Sequence, residues 1–251
     1  MKFQDLSLPE EIHKALVSMD FSTPTEIQEK AIPLAITGKD IIAGAQTGTG
    51  KTAAFGIPVL ANLIENPQSS ALILAPTREL AAQILDVIRK LSSHTPHMTV
   101  SMLIGGASMQ GQIRSLKKVP RVIVATPGRL MDHLQQKNLT LKNISQLVLD
   151  EADRMMDMGF APQLERILAY LPKERQTLFF SATIPPNIEK LAQKYVTNPV
   201  RLIVGPINQK VEKIEQEVRE VSNQTKNDIL MDELNASQGS VLIFTRTKSR
   251  A

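Results

Sequence analysis

Eight consecutive residues, Ala45-Gln46-Thr47-Gly48-Thr49-Gly50-Lys51-Thr52, combine two glycines, three threonines and a lysine in a spacing suited to phosphate. Gly48 and Gly50 let the backbone curl closely around phosphate oxygens. Successive N–H groups leading into a helix N-terminus would then face the anion. Lys51 could reach the β- and γ-phosphates of a nucleoside triphosphate, and the Thr52 hydroxyl could ligate Mg²⁺. The usual pattern opens on glycine, and Ala45 stands there instead. The bland alternative is a glycine-rich turn with an incidental lysine. An apolar run before the loop and a helical period after it favour the phosphate reading.

A second group, Asp150-Glu151-Ala152-Asp153, closes the apolar run Leu147-Val148-Leu149. Taken alone, an acidic tetrad is a solvated helix start. Behind a buried strand and downstream of a phosphate loop, it reads as the partner of that loop. Asp150 can hold Mg²⁺ through water, because Mg²⁺ keeps much of its hydration. Glu151 can orient or deprotonate an attacking water. Lys51, Asp150 and Glu151 are therefore the candidate catalytic set, with Thr52 and Asp150 as the metal ligands.

Both groups need a scaffold that brings distant chain segments to one place. Short apolar runs recur at Asp40–Gly44, Ala71–Ala75, Val100–Ile104, Arg121–Ala125, Gln146–Asp150, Thr177–Phe180 and Val200–Val204. They are rich in Val, Ile and Leu and lack polar alternation, as strands buried on both faces of a parallel sheet do. The segments between them have helical period: Ala53, Ile57, Leu60 and Ile64, then Leu80, Ile84, Val87 and Leu91. Repeated β–α units predict an α/β fold with a doubly wound, mostly parallel sheet and helices on both faces. In such a sheet, ligands bind beyond the strands' carboxyl ends.

Residues 1–38 read as a helical prelude to this domain, with helices over Pro9–Met19 and Thr25–Ile36. Thr25 is an N-cap candidate with Gln28 three residues on. Residues 39–205 form the nucleotide-binding domain. Gly205-Pro206 breaks the pattern, and 206–213 reads as a linker. Residues 214–251 read as the start of a second α/β domain: an alternating segment Ile214–Val221, a helix Thr225–Leu234 and an apolar run Val241–Phe244. That stretch is too short for a core of its own, so it is expected to be poorly ordered or to lean on the first domain.

Composition narrows the classes. There is no Cys, which excludes disulfides and thiolate metal sites. No apolar run approaches a membrane span and no signal peptide is visible, so the expectation is a soluble, cytoplasmic protein; these 251 residues alone are expected to be monomeric. The net charge of +4 weakly favours a polyanion. Four His without Cys or close carboxylates do not suggest a transition-metal site. Met155, Met156 and Met158 are expected to pack in a helix turn. Arg114, Lys117, Lys118 and Arg121 are either a solvated face or an auxiliary nucleic-acid contact.

Taken in order, these and further segments resemble the DEAD-box RNA helicases. Phe21-Ser22-Thr23-Pro24-Thr25-Glu26-Ile27-Gln28 is similar to the family's Q motif. The resemblance implies that Gln28 reads the adenine edge, that Phe3 stacks on the base, and that Phe21, with Gln46 to Thr52, completes the nucleotide site. The family commonly has Gly before the motif's Phe, and Asp20 stands there, which predicts a small turn adjustment. Pro76-Thr77-Arg78 begins a segment resembling motif Ia. Gly105-Gly106 resembles the GG element, and Thr126-Pro127-Gly128-Arg129 resembles motif Ib. In the family these grip one RNA strand by its sugar–phosphate backbone, largely without regard to sequence. The alternative is that Gly and Pro only shape loops while Arg78 and Arg129 make structural ion pairs. Ser181-Ala182-Thr183 resembles motif III, implying a coupling role with Asp153, and Ile243–Thr247 resembles the beginning of motif IV.

The resemblance implies a RecA-like P-loop motor domain plus the start of a second one. Its cofactors would be ATP and Mg²⁺, and its partners RNA and a second RecA-like domain. The Arg fingers of that second domain have no counterpart up to Ala251, so these 251 residues alone are expected to turn over little. Two other readings stand beside this one: a P-loop ATPase without RNA work, and an RNA- or nucleotide-binding module without turnover.

Overall fold

A strand buried on both faces keeps its amides satisfied only through neighbouring strands, so apolar runs of this kind must assemble side by side. A computed structural model, which describes residues 2–204, 217–222 and 225–245, has seven strands; the five inner ones are buried on both faces as expected, whereas the two at the sheet's edges keep one side partly exposed because no strand or helix covers them fully. The seven are β1 (Ile41–Ala45), β2 (Ser70–Leu74), β3 (Val100–Leu103), β4 (Val122–Ala125), β5 (Ile144–Leu149), β6 (Gln176–Ser181) and β7 (Val200–Val204). Each lies within two residues of its expected run. They form one sheet in the order β3-β4-β2-β5-β6-β1-β7, and every pairing is parallel.

The connections are helical: α1 (Glu10–Ser18) and α2 (Glu26–Ile36) before the sheet, then α3 (Lys51–Glu65), α4 (Arg78–Leu91), α5 (Met109–Leu116), α6 (Pro127–Gln135), α7 (Ala152–Asp157), α8 (Ala161–Tyr170) and α9 (Pro186–Ala192). Successive strand residues point to opposite sides. Ala71 and Ile73 enter one core with residues of α1 to α4, while Leu72 and Leu74 enter a second core with α6 to α9. The fold is therefore α/β and doubly wound. Aliphatic chains dominate both cores, and one aromatic contact, Phe55 edge-on to Phe180 at 5.5 Å, anchors α3 to β6.

Several buried polar groups tie the layers together. Asp40 accepts from Thr177 N at 2.7 Å and Thr197 N at 2.6 Å, fixing the start of β1 against both neighbouring segments. Arg121 is the clearest departure from expectation. Its guanidinium donates to Ser69 O, Leu63 O and Asn66 O at 2.7–2.9 Å. It closes the carboxyl end of α3, where helix carbonyls lack partners, so it belongs neither to a solvated face nor to a nucleic-acid contact. Asp20, in place of the family's Gly, takes a left-handed backbone at φ 55°, a conformation that glycine adopts more readily.

The chain divides into two compact units, Met1–Ile207 and Asn208–Ala251. Within the second, α10 (Lys226–Ala236) carries no buried side chain, and Arg219 pairs with Glu217 and Glu233. Val241 to Phe244 are exposed and outside regular structure, so the apolar run there forms no strand. A strand needs a partner to pair with, and the described residues of this unit provide none. The linker 206–213, the first residues of the Ile214–Val221 segment, and Arg246 and Thr247 of the motif IV likeness lie outside the described residues.

Replacing Arg121 with Ala should leave three carbonyls without their donor. The expected loss is about 1–3 kcal/mol of unfolding free energy, read by urea denaturation. An unchanged midpoint would show that the guanidinium contributes nothing to stability.

Candidate functional site

Strands β5, β6 and β1 are consecutive in the sheet, so their carboxyl ends lie side by side. β1 ends in the glycine-rich loop, β6 in Ser181-Ala182-Thr183 and β5 in the acidic quartet. The other half of the edge, β3, β4 and β2, carries the Gly105-Gly106 loop, Thr126–Arg129 and Pro76–Arg78. One edge therefore collects all the expected sites that follow strands, in two adjoining halves, while Phe3, Phe21 and Gln28 come from the segment before the sheet.

In the glycine-rich loop Gly48 has φ 81° and Gly50 φ 90°, the left-handed region where a side chain is strained. Ala45 is still in β1, paired with Val204, so its position makes no such demand and alanine is tolerated there. Lys51 is buried, and its Nζ donates to Ala45 O at 3.0 Å. Thr52 follows in the first turn of α3. The start of α2 clasps the loop from outside. Thr25 Oγ1 donates to Thr49 O at 2.8 Å and Gln28 Nε2 donates to Gly50 O at 3.0 Å, while Gln28 Oε1 accepts from Thr25 N. The last bond completes the expected capping box. A Cβ at Gly50 would collide with the Gln28 amide. Gln46 and Thr49 line a cavity of about 270 Å³ with Thr25, Glu26, Ile27 and Val204.

Phe3 and Phe21 stack at 6.2 Å with planes 23° apart. Phe3 is 2% exposed, so the partly exposed ring of the pair is Phe21. Both line a larger cavity of about 1020 Å³ that runs along α1 to His94 and includes no residue of the glycine-rich loop.

The acidic quartet is graded by environment. Asp150 is buried, and burial pushes its carboxyl up from 3.8 to about 6. Lys51 opposes that rise, and Glu151 and Asp153 add to it. Glu151 is buried in a left-handed backbone at φ 50°, and Arg154 Nη1 stands 3.2 Å from its Oε2. Asp153 goes the other way. Burial alone would raise it, but hydrogen bonds from Thr183 N (2.9 Å), Thr183 Oγ1 (3.0 Å) and neighbouring groups hold it below the usual carboxylate range. Ser181 Oγ accepts from Asp153 N at 3.2 Å. The expected link between Ser181, Thr183 and Asp153 is thus present as contact geometry. Among the described residues no three metal-ligating side chains converge. The oxygens of Asp150 and Thr52 are hard donors of the kind Mg²⁺ takes, one or two at a time with phosphate and water completing its shell.

On the other half, Pro76, Thr77, Arg78, Gly105, Thr126, Gly128 and Arg129 line one cavity of about 470 Å³. Gly106 adjoins it at φ 77°, and a Cβ there would run into the Arg78 guanidinium, so the two segments pack directly. Thr77 caps α4, its hydroxyl accepting from Leu80 N at 3.1 Å, and Pro127 opens α6 behind Thr126. Arg129 is partly structural. Its Nη1 donates to Ala107 O at 3.0 Å, and its Nε lies 3.5 Å from Asp132 Oδ2 without hydrogen-bond alignment. Met155 packs in the core as expected, but Met158 is exposed and joins Phe160 in lining this cavity. Sequence reasoning also passed over Gln112 and His133, which are buried beside it. A polar residue on the apolar face of a helix was the available signal.

Residues 25–191 match the DEAD/DEAH box helicase family. The chain is 47% identical over 252 residues to the ATP-dependent rRNA helicase RRP3 of Candida albicans, covering 99% of this chain and 47% of that protein. It is 44% identical over 250 residues to the DEAD-box ATP-dependent RNA helicase RhpA of Helicobacter pylori strain B128, covering 99% and 51%. The chain thus spans about half the length of the curated relatives it matches. Among solved structures, a DEAD box protein from the hyperthermophile Methanococcus jannaschii superimposes with a TM-score of 0.77 at 38% identity, covering 93% of this chain and 63% of that one.

The raised Asp150 carboxyl carries a pH dependence. The folded chain holds this proton more tightly than the unfolded chain, so the stability it contributes is full below pH 3.8 and lost as pH rises through about 6. Asp150→Asn should therefore stabilise the magnesium- and nucleotide-free protein at pH 7.5 by roughly 3 kcal/mol, with the gain vanishing near pH 4. Thermal melting at both pH values tests this, and equal shifts at both would count against it.

Proposed function

This chain belongs to the DEAD/DEAH box helicase family, and from that premise we propose that it is the ATP- and RNA-gripping motor half of an ATP-dependent RNA helicase. The observation that carries the proposal is the division of one sheet edge. A phosphate loop and an acidic quartet occupy β1 and β5, and three loops rich in backbone donors and arginine occupy β2, β3 and β4. Ser181–Thr183 lies between the acidic strand and the phosphate loop.

In this reading Lys51 leaves the Ala45 carbonyl and turns to the β- and γ-phosphates, while Gly48, Thr49 and Gly50 present their N–H groups. Gln46 and Thr47 form the outer wall of the loop. Thr52 and Asp150 would hold Mg²⁺, which would supply charge neutralisation on the phosphates. Glu151 positions the attacking water. Gln28 reads the adenine edge, because its amide keeps one N–H and one carbonyl lone pair beyond the bonds to Gly50 and Thr25. Phe21, packed on Phe3, supplies the stacking face. RNA lies in the cavity of Arg78, Gly105, Gly106, Thr126, Gly128 and Arg129, held through phosphates. Asp153 passes the state of the nucleotide to Thr183. A second motor domain supplies the Arg fingers that complete hydrolysis.

ATP turnover measured with and without single-stranded RNA tests the proposal. Strong RNA stimulation in a protein carrying both motor domains is expected, with little turnover from these 251 residues alone. Turnover indifferent to RNA would favour a P-loop ATPase of another kind, and RNA or nucleotide binding without turnover a passive module.

Lys51→Ala should abolish ATP binding. Glu151→Gln should keep binding and stop hydrolysis. Gln28→Ala should erode the preference for ATP over GTP about tenfold, the worth of one or two hydrogen bonds. An unaltered preference would remove Gln28 from the adenine site.

A further inference from the structure

His133 has no solvent exposure and lies on α6. Its two ring nitrogens have opposite partners. Asn138 Nδ2 stands 3.3 Å from Nδ1, and Gln112 Oε1 stands 3.1 Å from Nε2. An amide nitrogen can only donate and an amide oxygen can only accept. The neutral ring therefore accepts at Nδ1 and carries its proton on Nε2, which donates to Gln112. Burial, with the Arg129 charge, lowers the ring's pKa and favours that neutral form.

The polarity continues outward. With its oxygen turned to His133, Gln112 aims Nε2 at Ile104 O (3.0 Å) and more weakly at Ala107 O (3.5 Å). These two carbonyls bracket Gly105-Gly106. Arg129 Nη1 holds Ala107 O from the other side at 3.0 Å. Every bond in the relay Asn138 → His133 → Gln112 → loop carbonyls runs in one direction, so a wrong tautomer at the centre would turn the Gln112 amide and release the loop. Directional networks of this kind hold a conformation more tightly than isolated bonds do.

We propose that His133 is a positioning residue for nucleic-acid binding, setting the Gln112 amide that holds the Gly105-Gly106 loop in the wall of the cavity beside Arg78. The inference rests on the RNA reading above for its consequence, but the loop positioning stands on geometry alone. His133 touches no ligand and acts through Gln112.

The test combines two readouts on the full-length protein. Amide hydrogen exchange across Gly105–Ala107 reports the loop, and titration with single-stranded oligouridine in the presence of an ATP analogue reports binding. His133→Leu should speed exchange at the loop and weaken RNA binding about tenfold with ATP affinity unchanged, a loss equal to one or two hydrogen bonds. His133→Gln can return a donor to the Nε2 position and should restore both. Asn138→Ala, at a partly exposed site where folding is safe, should move both readouts the same way by less. Unchanged loop exchange in His133→Leu, no rescue by Gln, or an equal fall in ATP affinity would each overturn the proposal. If the wild-type protein bound no RNA, the functional reading would fall, while the exchange data would still decide the loop positioning.

Discussion

All seven strands point the same way, and this single polarity is the constraint from which the site follows. A parallel sheet sends every strand's carboxyl end to one edge, so loops far apart in sequence meet there without further design. Strand order then assigns neighbours. β6 lies between β1 and β5, which puts Ser181 and Thr183 within hydrogen-bond reach of Asp153. An antiparallel arrangement of the same elements would scatter these loops over both edges.

Concentrating acids at that edge has an electrostatic cost, and the environment distributes it unevenly. Asp153 is held ionised by donors from Thr183, whereas Asp150, buried and close to Glu151, resists losing its proton. Glu151 adds a left-handed backbone, a conformation that costs a non-glycine residue on the order of 1 kcal/mol. Strain and unfavourable charge therefore sit together in the quartet. The two cores of aliphatic side chains on either side of the sheet hold it there.

Much of this was legible in the sequence because it is local or periodic. Buried strands announce themselves as unbroken apolar runs, and Thr25 with Gln28 marks the start of α2 through a capping box confined to four residues. The glycines at Gly48 and Gly50 match a positive φ that few other residues tolerate. What escaped depends on contacts across long sequence separations. Arg121 is bonded to carbonyls more than fifty residues away, and only the fold could show it closing α3. Gln112 and His133 look like ordinary helix residues until α5 and α6 are brought together. Phe3 invites a free stacking role until Phe21 is found lying over it. Val241–Phe244 has the composition of a strand but no strand beside it.

Lys51 rests on the carbonyl of Ala45, a neutral acceptor, and is hydrogen-bonded to none of the neighbouring acids. Had the ammonium been locked in a contact ion pair with Asp150, each incoming nucleotide would have to separate two buried charges before gaining its own. As it stands, admission requires the exchange of one ordinary amide acceptor for a polyanion. On the nucleotide reading proposed above, phosphate entry would therefore trade one neutral hydrogen bond for charged ones without first breaking a contact ion pair at Lys51.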